Sequence, residues 1–240
     1  MPKRLLFLLL FVIPLPALAA QNCMDPMRLG TDHYMYPSQI DLVSVLGPPP
    51  APGSLEGQKD LQAVLEAEHA RTPMEIVEAK TNSCFSIFAF ADVMGPDFEP
   101  AKLPFTVAFF QRVFDDGMHG VAAAKKYFNR PRPFVADKQI TTVVQQPANA
   151  SYPSGHATFA YMTAILLADM VPEKAGAIFD RAGAFTRSRL IAGVHYPSDL
   201  TAGRIAAAVI DNVLLHDASF QADLAKSRAE VRSAAGLASP

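Results

Sequence analysis

Three short stretches of the chain concentrate basic, hydroxyl and imidazole side chains. The first contains Lys125 and Arg132, with six residues between them and prolines at positions 131 and 133. Because proline removes an amide donor and disfavours helix in the residue before it, we predict Lys125 at a helix end and Arg132 on an extended segment. A compact ammonium and a bidentate guanidinium both suit the oxygens of an anion such as phosphate. The alternative for this stretch alone is a solvated basic cluster at a helix C-terminus.

The second stretch, Ser151 to His156, stands immediately before a helical pattern. Ser154 is predicted as the N-cap of that helix, and Gly155 allows the backbone to come close to a ligand. A helix start with free amide donors binds anions, and His156 on the first turn could give a proton to a bound phosphate ester. The alternative is an ordinary capped helix with a surface histidine.

The third stretch runs from Ser188 to Asp199. Arg189 falls in a run that otherwise resembles a core helix, and a buried arginine requires an anionic partner. His195 and Asp199 are four residues apart with Pro197 between them, which predicts a turn into the next helix. The carboxylate could accept a hydrogen bond from one imidazole nitrogen and leave the other unprotonated and nucleophilic. The alternative is a His–Asp pair on the surface.

Taken together, the three stretches contain every group that phosphoryl transfer without a metal needs. They offer cations for the equatorial oxygens, a nucleophile, and an acid for the leaving group. We expect no cofactor and no metal site. The nearest metal candidate is Asp115-Asp116 with His119, for which a solvated helix face is the preferred interpretation.

The spacing Lys-x6-Arg-Pro, Pro-Ser-Gly-His and Ser-Arg-x5-His-x3-Asp resembles that of the phosphatidic acid phosphatase type 2 superfamily. The matching residues are Lys125, Arg132, Pro133, Pro153 to His156, Ser188, Arg189, His195 and Asp199. Within that superfamily the chain is similar to the bacterial class A non-specific acid phosphatases, whose proline-rich segment resembles Pro48 to Ser54. Ala157 departs from the Thr usual in that class, and Pro153 to Thr158 also resembles the vanadium haloperoxidases.

The resemblance implies a role for each matched residue. His195 would attack phosphorus, Asp199 would orient it, and His156 would protonate the leaving group and then activate water. The residues implied to hold the phosphate are Lys125, Arg132, Ser154, Gly155 and Arg189. The implied enzyme is an acid phosphatase that acts on small-molecule phosphate monoesters through a phosphohistidine and is inhibited by vanadate.

Three other functions could use some or all of these residues. A lipid phosphate or pyrophosphate phosphatase at the membrane surface would share the site, and a vanadium haloperoxidase would bind vanadate on His195, although such enzymes are longer. A phosphate-binding protein would not need His156 or the His195–Asp199 pair. The net charge of −2 provides no basic field for nucleic acid, and the class A resemblance implies a homodimer or larger homo-oligomer.

The N-terminus carries the features of a secretory signal peptide over residues 1–20. Lys3 and Arg4 precede the apolar run Leu5 to Leu15, and Ala17-Leu18-Ala19 is a small-residue cleavage site. This predicts a periplasmic or secreted protein whose residues 21–240 form one acid phosphatase domain, with no stable membrane span after cleavage. In an oxidising compartment Cys23 and Cys84 could form one disulfide, but the sequence leaves their pairing open.

Most of the chain after residue 60 has helical periodicity. Leu61, Val64, Leu65 and His69 fall on one face, and Thr72-Pro73-Met74-Glu75 is typical of a helix start. The one run of β-branched residues, 139–144, is short. We therefore predict an all-α, single-domain helical bundle, which the resemblance specifies as the phosphatidic acid phosphatase type 2 and vanadium haloperoxidase type. The apolar segments 156–171 and 205–215 are expected to be buried helices and not membrane spans.

Overall fold

The computed structural model describes residues 22–238, which fold into helices joined by loops, with an isolated bridge between Met24 and Phe85 and no strand. The α-helices are α1 (Leu42–Leu46), α2 (Leu55–Ala70), α3 (Pro73–Thr81), α4 (Ala91–Met94), α5 (Pro104–Phe128), α6 (Pro133–Ala136), α7 (Gly155–Met170), α8 (Ala175–Ile191), α9 (Pro197–Leu214) and α10 (Ala218–Ala234). Short 3₁₀ turns lie at Pro37–Gln39, Ile87–Phe90, Pro100–Lys102 and Pro172–Lys174. The all-α prediction is confirmed. The predicted signal peptide lies outside the described residues.

Local sequence signals place several helix ends. At the start of α3 the Thr72 hydroxyl accepts from the Glu75 amide, and the Glu75 carboxylate accepts from the Thr72 amide at 2.8 Å. Helix α5 ends where Asn129 takes a left-handed conformation with φ 44°, which leaves Lys125 in its last turn as expected. On the face of α2 that carries Val64, His69 is exposed, and Asp60 is buried.

The centre of the molecule is α7, which packs mainly against α8 and α9. Gly203 permits the closest approach, because a Cβ at this position would lie 2.5 Å from the Ser154 carbonyl oxygen. The turn before α9 is thereby brought to the start of α7, where the Ser154 amide donates to the Asp199 carbonyl at 3.0 Å. Among residues 22–238, no helix combines the length and apolarity needed to cross a bilayer.

A second glycine directs the chain from α8 into the site. Gly193 has φ 72°, and a Cβ on it would lie 3.0 Å from the Thr141 carbonyl oxygen. Both conditions favour glycine, because other residues rarely adopt this conformation and the space is closed. The turn it allows ends α8 and leads within two residues to His195.

The segment before α1 is fastened to the bundle by a disulfide and by polar contacts with α5. Cys23 and Cys84, whose pairing the sequence left open, are bonded. Asp116 accepts from the amides of His33 and Tyr34, both at 2.8 Å. The interpretation of Asp115 and Asp116 as a solvated helix face is wrong, because both are buried under this segment.

Candidate active site

His195 and Asp199 form a buried pair at the turn between α8 and α9. The Asp199 Oδ2 lies 3.2 Å from His195 Nδ1, while Arg132 Nη1 lies 3.2 Å from His195 Nε2. A carboxylate accepts and a guanidinium can only donate, so Nδ1 must carry the proton and Nε2 the lone pair. The two neighbours together therefore select the tautomer in which Nε2 can act as a nucleophile.

Asp199 is held by more hydrogen bonds than the His195 contact alone. Its Oδ1 accepts from Arg130 at 2.7 Å, and its Oδ2 also accepts from the Ser151 hydroxyl at 2.5 Å and the Tyr196 amide at 2.9 Å. Burial by itself would raise the pKa of Asp199, but its hydrogen bond to His195 and the nearby positive charge lower that pKa to about 2. Asp199 is thus a fixed carboxylate with both oxygens in use.

The protonation of His195 is disfavoured by its surroundings. Burial, reinforced by the positive charge of Arg132, lowers the pKa of His195 to about 3, although Asp199 opposes the shift. The surroundings of His195 therefore favour the neutral imidazole in the free protein. A neutral ring retains the lone pair on Nε2 that nucleophilic attack requires.

Lys125 and Arg132 bond to oxygens of uncharged groups near this histidine. Lys125 Nζ donates to the carbonyl of Ala150 at 2.6 Å. Arg132 donates to the carbonyl of Val194 at 2.8 Å and to the side-chain oxygen of Asn149 at 2.7 Å. Both cations are therefore oriented by neutral groups that leave their charge uncompensated.

Arg189 lies in the last turn of α8 and is only 1% exposed. It donates to the Ala79 carbonyl and, at 3.2 Å, to the Ser188 hydroxyl. Within residues 22–238 neither Arg189 nor Arg132 nor Lys125 makes a salt bridge, so these residues do not supply the anionic partner that a buried arginine requires. An anion from outside the chain is the partner that such a cluster lacks.

The positive charge of Arg132 also lowers the pKa of the two other cations. Burial, together with the charge of Arg132, lowers the pKa of Lys125 well below its usual value and that of Arg189 to about 9. Burial lowers the pKa of Arg132 to about 10. Such mutual repulsion is a cost of folding that a bound anion would relieve.

His156 lies on the first turn of α7, next to the capping residue. The Ser154 hydroxyl accepts from the Ala157 amide at 3.3 Å, as the sequence predicts. The amides of Gly155 and His156 occupy the turn in which a helix supplies no acceptor, so they can face an anion. Burial, reinforced by the charge of Arg189, lowers the pKa of His156 well below its ordinary value.

Sequence reasoning missed Arg130, which is central to the site. Its guanidinium donates to Asp199 and, at 2.8 Å, to Asp60 on α2, and it stacks 4.0 Å above the Tyr196 ring. Asp60 also accepts from the Ser198 amide at 3.1 Å. Arg130 is two residues from Arg132, which belongs to the superfamily spacing, and Asp60 lies on the same helix face as Val64. These two positions are the features of the sequence that could have indicated Arg130 and Asp60.

Ser151 and Asn149 were missed as well. Ser151 bonds Asp199, and Asn149 bonds Arg132 through both its carbonyl oxygens. Ser151 lies in the second stretch, but no local pattern indicates that its hydroxyl reaches a carboxylate 48 residues away. The loop before α7 thus orients both the carboxylate and one cation.

The described residues contain no group of three or more His, Cys, Asp or Glu side chains placed to hold a metal ion. The site instead combines buried cations, an unprotonated imidazole nitrogen, a second imidazole and a helix start. Chemically, this arrangement can bind a phosphoryl group, accept it on nitrogen and exchange a proton with an ester oxygen.

Comparisons with known proteins agree with this geometry. Residues 103–222 match the model of the PAP2 superfamily. The chain is 30% identical to an acid phosphatase of Zymomonas mobilis over 207 residues, which are 83% of this chain and 78% of the relative. It is 29% identical to a non-specific acid phosphatase of Providencia stuartii over 209 residues, 82% and 84% of the two chains.

A further relative and one solved structure extend the comparison. A non-specific acid phosphatase of Salmonella typhimurium is 35% identical over 155 residues, 62% of each chain. The structure of a bacterial vanadium-dependent iodoperoxidase superposes with a TM-score of 0.57 at 19% identity, covering 71% of this chain and 52% of that one. At that identity the superposition shows a shared fold.

Proposed function

Because the chain belongs to the PAP2 superfamily and is an acid phosphatase of that family, we propose that it hydrolyses phosphate monoesters through a phosphohistidine on His195, without a metal. The observation that carries the proposal is the cluster of Lys125, Arg132 and Arg189. These three buried cations have neutral partners, and Arg132 lies beside an imidazole whose Nε2 is unprotonated.

In the first step the phosphoryl group of the substrate binds to Lys125, Arg132 and Arg189. His195 Nε2 attacks phosphorus, a P–N bond forms, and the P–O bond to the alcohol breaks. His156 gives a proton to the departing oxygen. Asp199, which accepts from Nδ1 and remains ionised, balances the positive charge that develops on the His195 ring.

In the second step water replaces the alcohol. His156, now neutral, removes a proton from the water as its oxygen attacks phosphorus. The P–N bond breaks, inorganic phosphate leaves, and His195 regains its neutral form with the proton on Nδ1. Lys125, Arg132, Arg189, the Ser154 hydroxyl and the Gly155 amide would hold the equatorial oxygens in both steps, supplying the charge that a metal contributes in other phosphatases.

A substrate panel with the purified protein tests the proposal. Nucleotides, sugar phosphates, aryl phosphates, pyrophosphate and phospholipids should be assayed at acidic pH, and the soluble monoesters should be hydrolysed. A preference for phospholipid or pyrophosphate would favour the lipid phosphate or pyrophosphate phosphatase instead. Halide oxidation with peroxide and vanadate, in the absence of ester hydrolysis, would indicate a haloperoxidase. Absence of all turnover would leave only phosphate binding.

We also propose that residues 1–20 are removed on export and that residues 21–240 act in the periplasm or medium as one domain. The Cys23–Cys84 disulfide supports an oxidising compartment. N-terminal sequencing of the exported protein checks the cleavage site. Sedimentation of the mature protein checks the proposed homodimer or larger homo-oligomer.

A further inference from the structure

His156 is held on two sides by a segment far from it in sequence. Its Nε2 lies 3.1 Å from the Ser83 carbonyl oxygen, and its ring stacks on Phe85 with centroids 4.0 Å apart and an interplanar angle of 29°. Both contacts come from the loop between α3 and α4. Neither residue lies within the region that matches the family model, residues 103–222.

These two contacts fix the orientation of the ring and place a proton on Nε2. A carbonyl oxygen can only accept, so His156 Nε2 must carry a proton in this arrangement. Within residues 22–238 Nδ1 makes no hydrogen bond, so in the doubly protonated ring it is the nitrogen that can give a proton to a ligand. The face of Phe85 and the carbonyl oxygen of Ser83 both favour a positive ring.

The segment that makes these contacts is itself firmly held. The Phe85 ring packs edge-on against Phe114 at 5.3 Å and Phe159 at 5.6 Å. The Met24 amide donates to the Phe85 carbonyl at 2.9 Å, and the neighbouring residue Cys84 is bonded to Cys23. The N-terminal segment therefore fixes the backbone at Phe85, and the core fixes its ring.

We propose that Ser83 and Phe85 are positioning residues for His156, which hold its imidazole in the orientation that delivers a proton to the leaving group. The inference deepens the proposed function and rests on the acid role of His156 stated there. It gives an indirect role in catalysis to the N-terminal segment, residues 22–41, which the Cys23–Cys84 disulfide joins to the loop that carries Ser83 and Phe85. Among residues 22–238, Ser83 and Phe85 make no hydrogen bond to Lys125, Arg132 or Arg189, so they act through His156.

A readout specific to proton delivery separates this role from a merely structural one. The value of kcat/KM reports the first step, in which the alcohol leaves. A nitrophenolate leaves readily without a proton, whereas an alkoxide such as that of glycerol requires one. Loss of the correct His156 orientation should therefore reduce kcat/KM for an alkyl phosphate much more than for nitrophenyl phosphate.

The test compares Phe85→Leu with wild type on glycerol phosphate and nitrophenyl phosphate. We expect kcat/KM to fall about 10-fold or more for glycerol phosphate and less than about 2-fold for nitrophenyl phosphate. Phe88→Leu is the matched control. Phe88 lies in the next turn and packs on Phe98, so its substitution should leave the ratio of the two substrates unchanged.

Each other outcome has a definite meaning. An equal loss on both substrates, or no loss on either, overturns the positioning role. His156→Ala is measured in parallel: if it also fails to discriminate between the substrates, the proposed acid role itself is wrong. Should Phe85→Leu not fold, the Cys23→Ser, Cys84→Ser double variant decides, because it releases the segment and keeps the carbonyl and ring. A selective loss supports the proposal, and an unselective loss or none overturns it.

Discussion

Asp60 and Asp199 share one guanidinium: Arg130 donates to Asp60 at 2.8 Å and to Asp199 at 2.7 Å, and all three side chains are buried. Burial by itself would lower the pKa of Arg130, but the two carboxylates raise it. The pairing ties α2 to the turn before α9. The guanidinium gives the buried carboxylate of Asp60 a positive partner. It also holds the carboxylate of Asp199 in place beside His195.

Replacing Arg130 by Ala should therefore reduce both stability and turnover. Two buried carboxylates would lose their common partner, which typically costs about 3–5 kcal/mol in the free energy of unfolding. Urea denaturation measures the loss. Arg228→Ala is the control, because Arg228 pairs with Asp169 near the surface and should cost less than about 1 kcal/mol. Equal losses in the two variants would contradict the importance of the shared guanidinium.

Replacing Arg189 by Met should make the protein more stable and less active. The substitution removes a buried positive charge that has neutral partners, so we expect the free energy of unfolding to rise in phosphate-free buffer. We expect kcat/KM to fall about 100-fold because the oxygens of the phosphoryl group lose a donor. Thermal unfolding with and without inorganic phosphate provides the check: phosphate should raise the wild-type midpoint more than that of the variant. A less stable variant with full activity would refute this account.

His195→Ala should abolish the phosphoenzyme, because no other nitrogen replaces Nε2. His156→Ala should instead accumulate it when nitrophenyl phosphate is the substrate, since the first step needs little acid and the second lacks its base. Rapid quenching of radiolabelled reactions into base measures the protein-bound phosphate. His69→Ala, an exposed position, is the control. A labelled His195→Ala protein would rule out this nucleophile.

The pH dependence should confine activity to the acidic range. His195 must be neutral, which holds above a pKa of about 3, and His156 must be protonated, which requires a pH below its lowered pKa. We therefore expect kcat/KM to rise from pH 3, reach a maximum below the ordinary histidine pKa and fall as the pH increases further. His156→Ala should lose the fall at high pH on nitrophenyl phosphate. A profile for the wild type that climbs steadily through neutrality would exclude His156 as the acid.

Vanadate should inhibit the reaction, whereas a chelator should have no effect on it. Vanadate can copy the five-coordinate transition state on His195, so we expect it to inhibit competitively. EDTA should leave turnover unchanged, because lysine and arginine supply the positive charge. Steady-state kinetics with each reagent is sufficient. Loss of activity in EDTA that a divalent ion restores would show that a metal takes part.

Local signals in the sequence predicted much of the fold. Helix periodicity predicted the α-helical class, and the Thr72–Glu75 capping box predicted the start of α3. The three motifs also predicted the turns on which His195, His156 and Arg132 lie. These signals succeed because caps, prolines and apolar spacing act within one or two turns of the backbone.

The sequence could not predict contacts between residues distant in the chain. Asp60, Ser83 and Phe85 lie on segments without motifs. They reach the site because α2 packs against α8 and α9, and because the loop after α3 packs against α7 and α8. Such contacts depend on how helices cross, which no local pattern encodes.

By itself, the sequence determined that the chain is helical, that its motifs resemble one superfamily, and which turns carry the cations and imidazoles, because spacing and turn chemistry are local properties. Only the tertiary structure decided that Arg130 joins Asp60 to Asp199, that no carboxylate among residues 22–238 pairs with Arg189, and that Phe85 contacts His156. The physical reason is that burial and charge compensation belong to the packed molecule: whether a side chain finds a partner depends on which helices meet there.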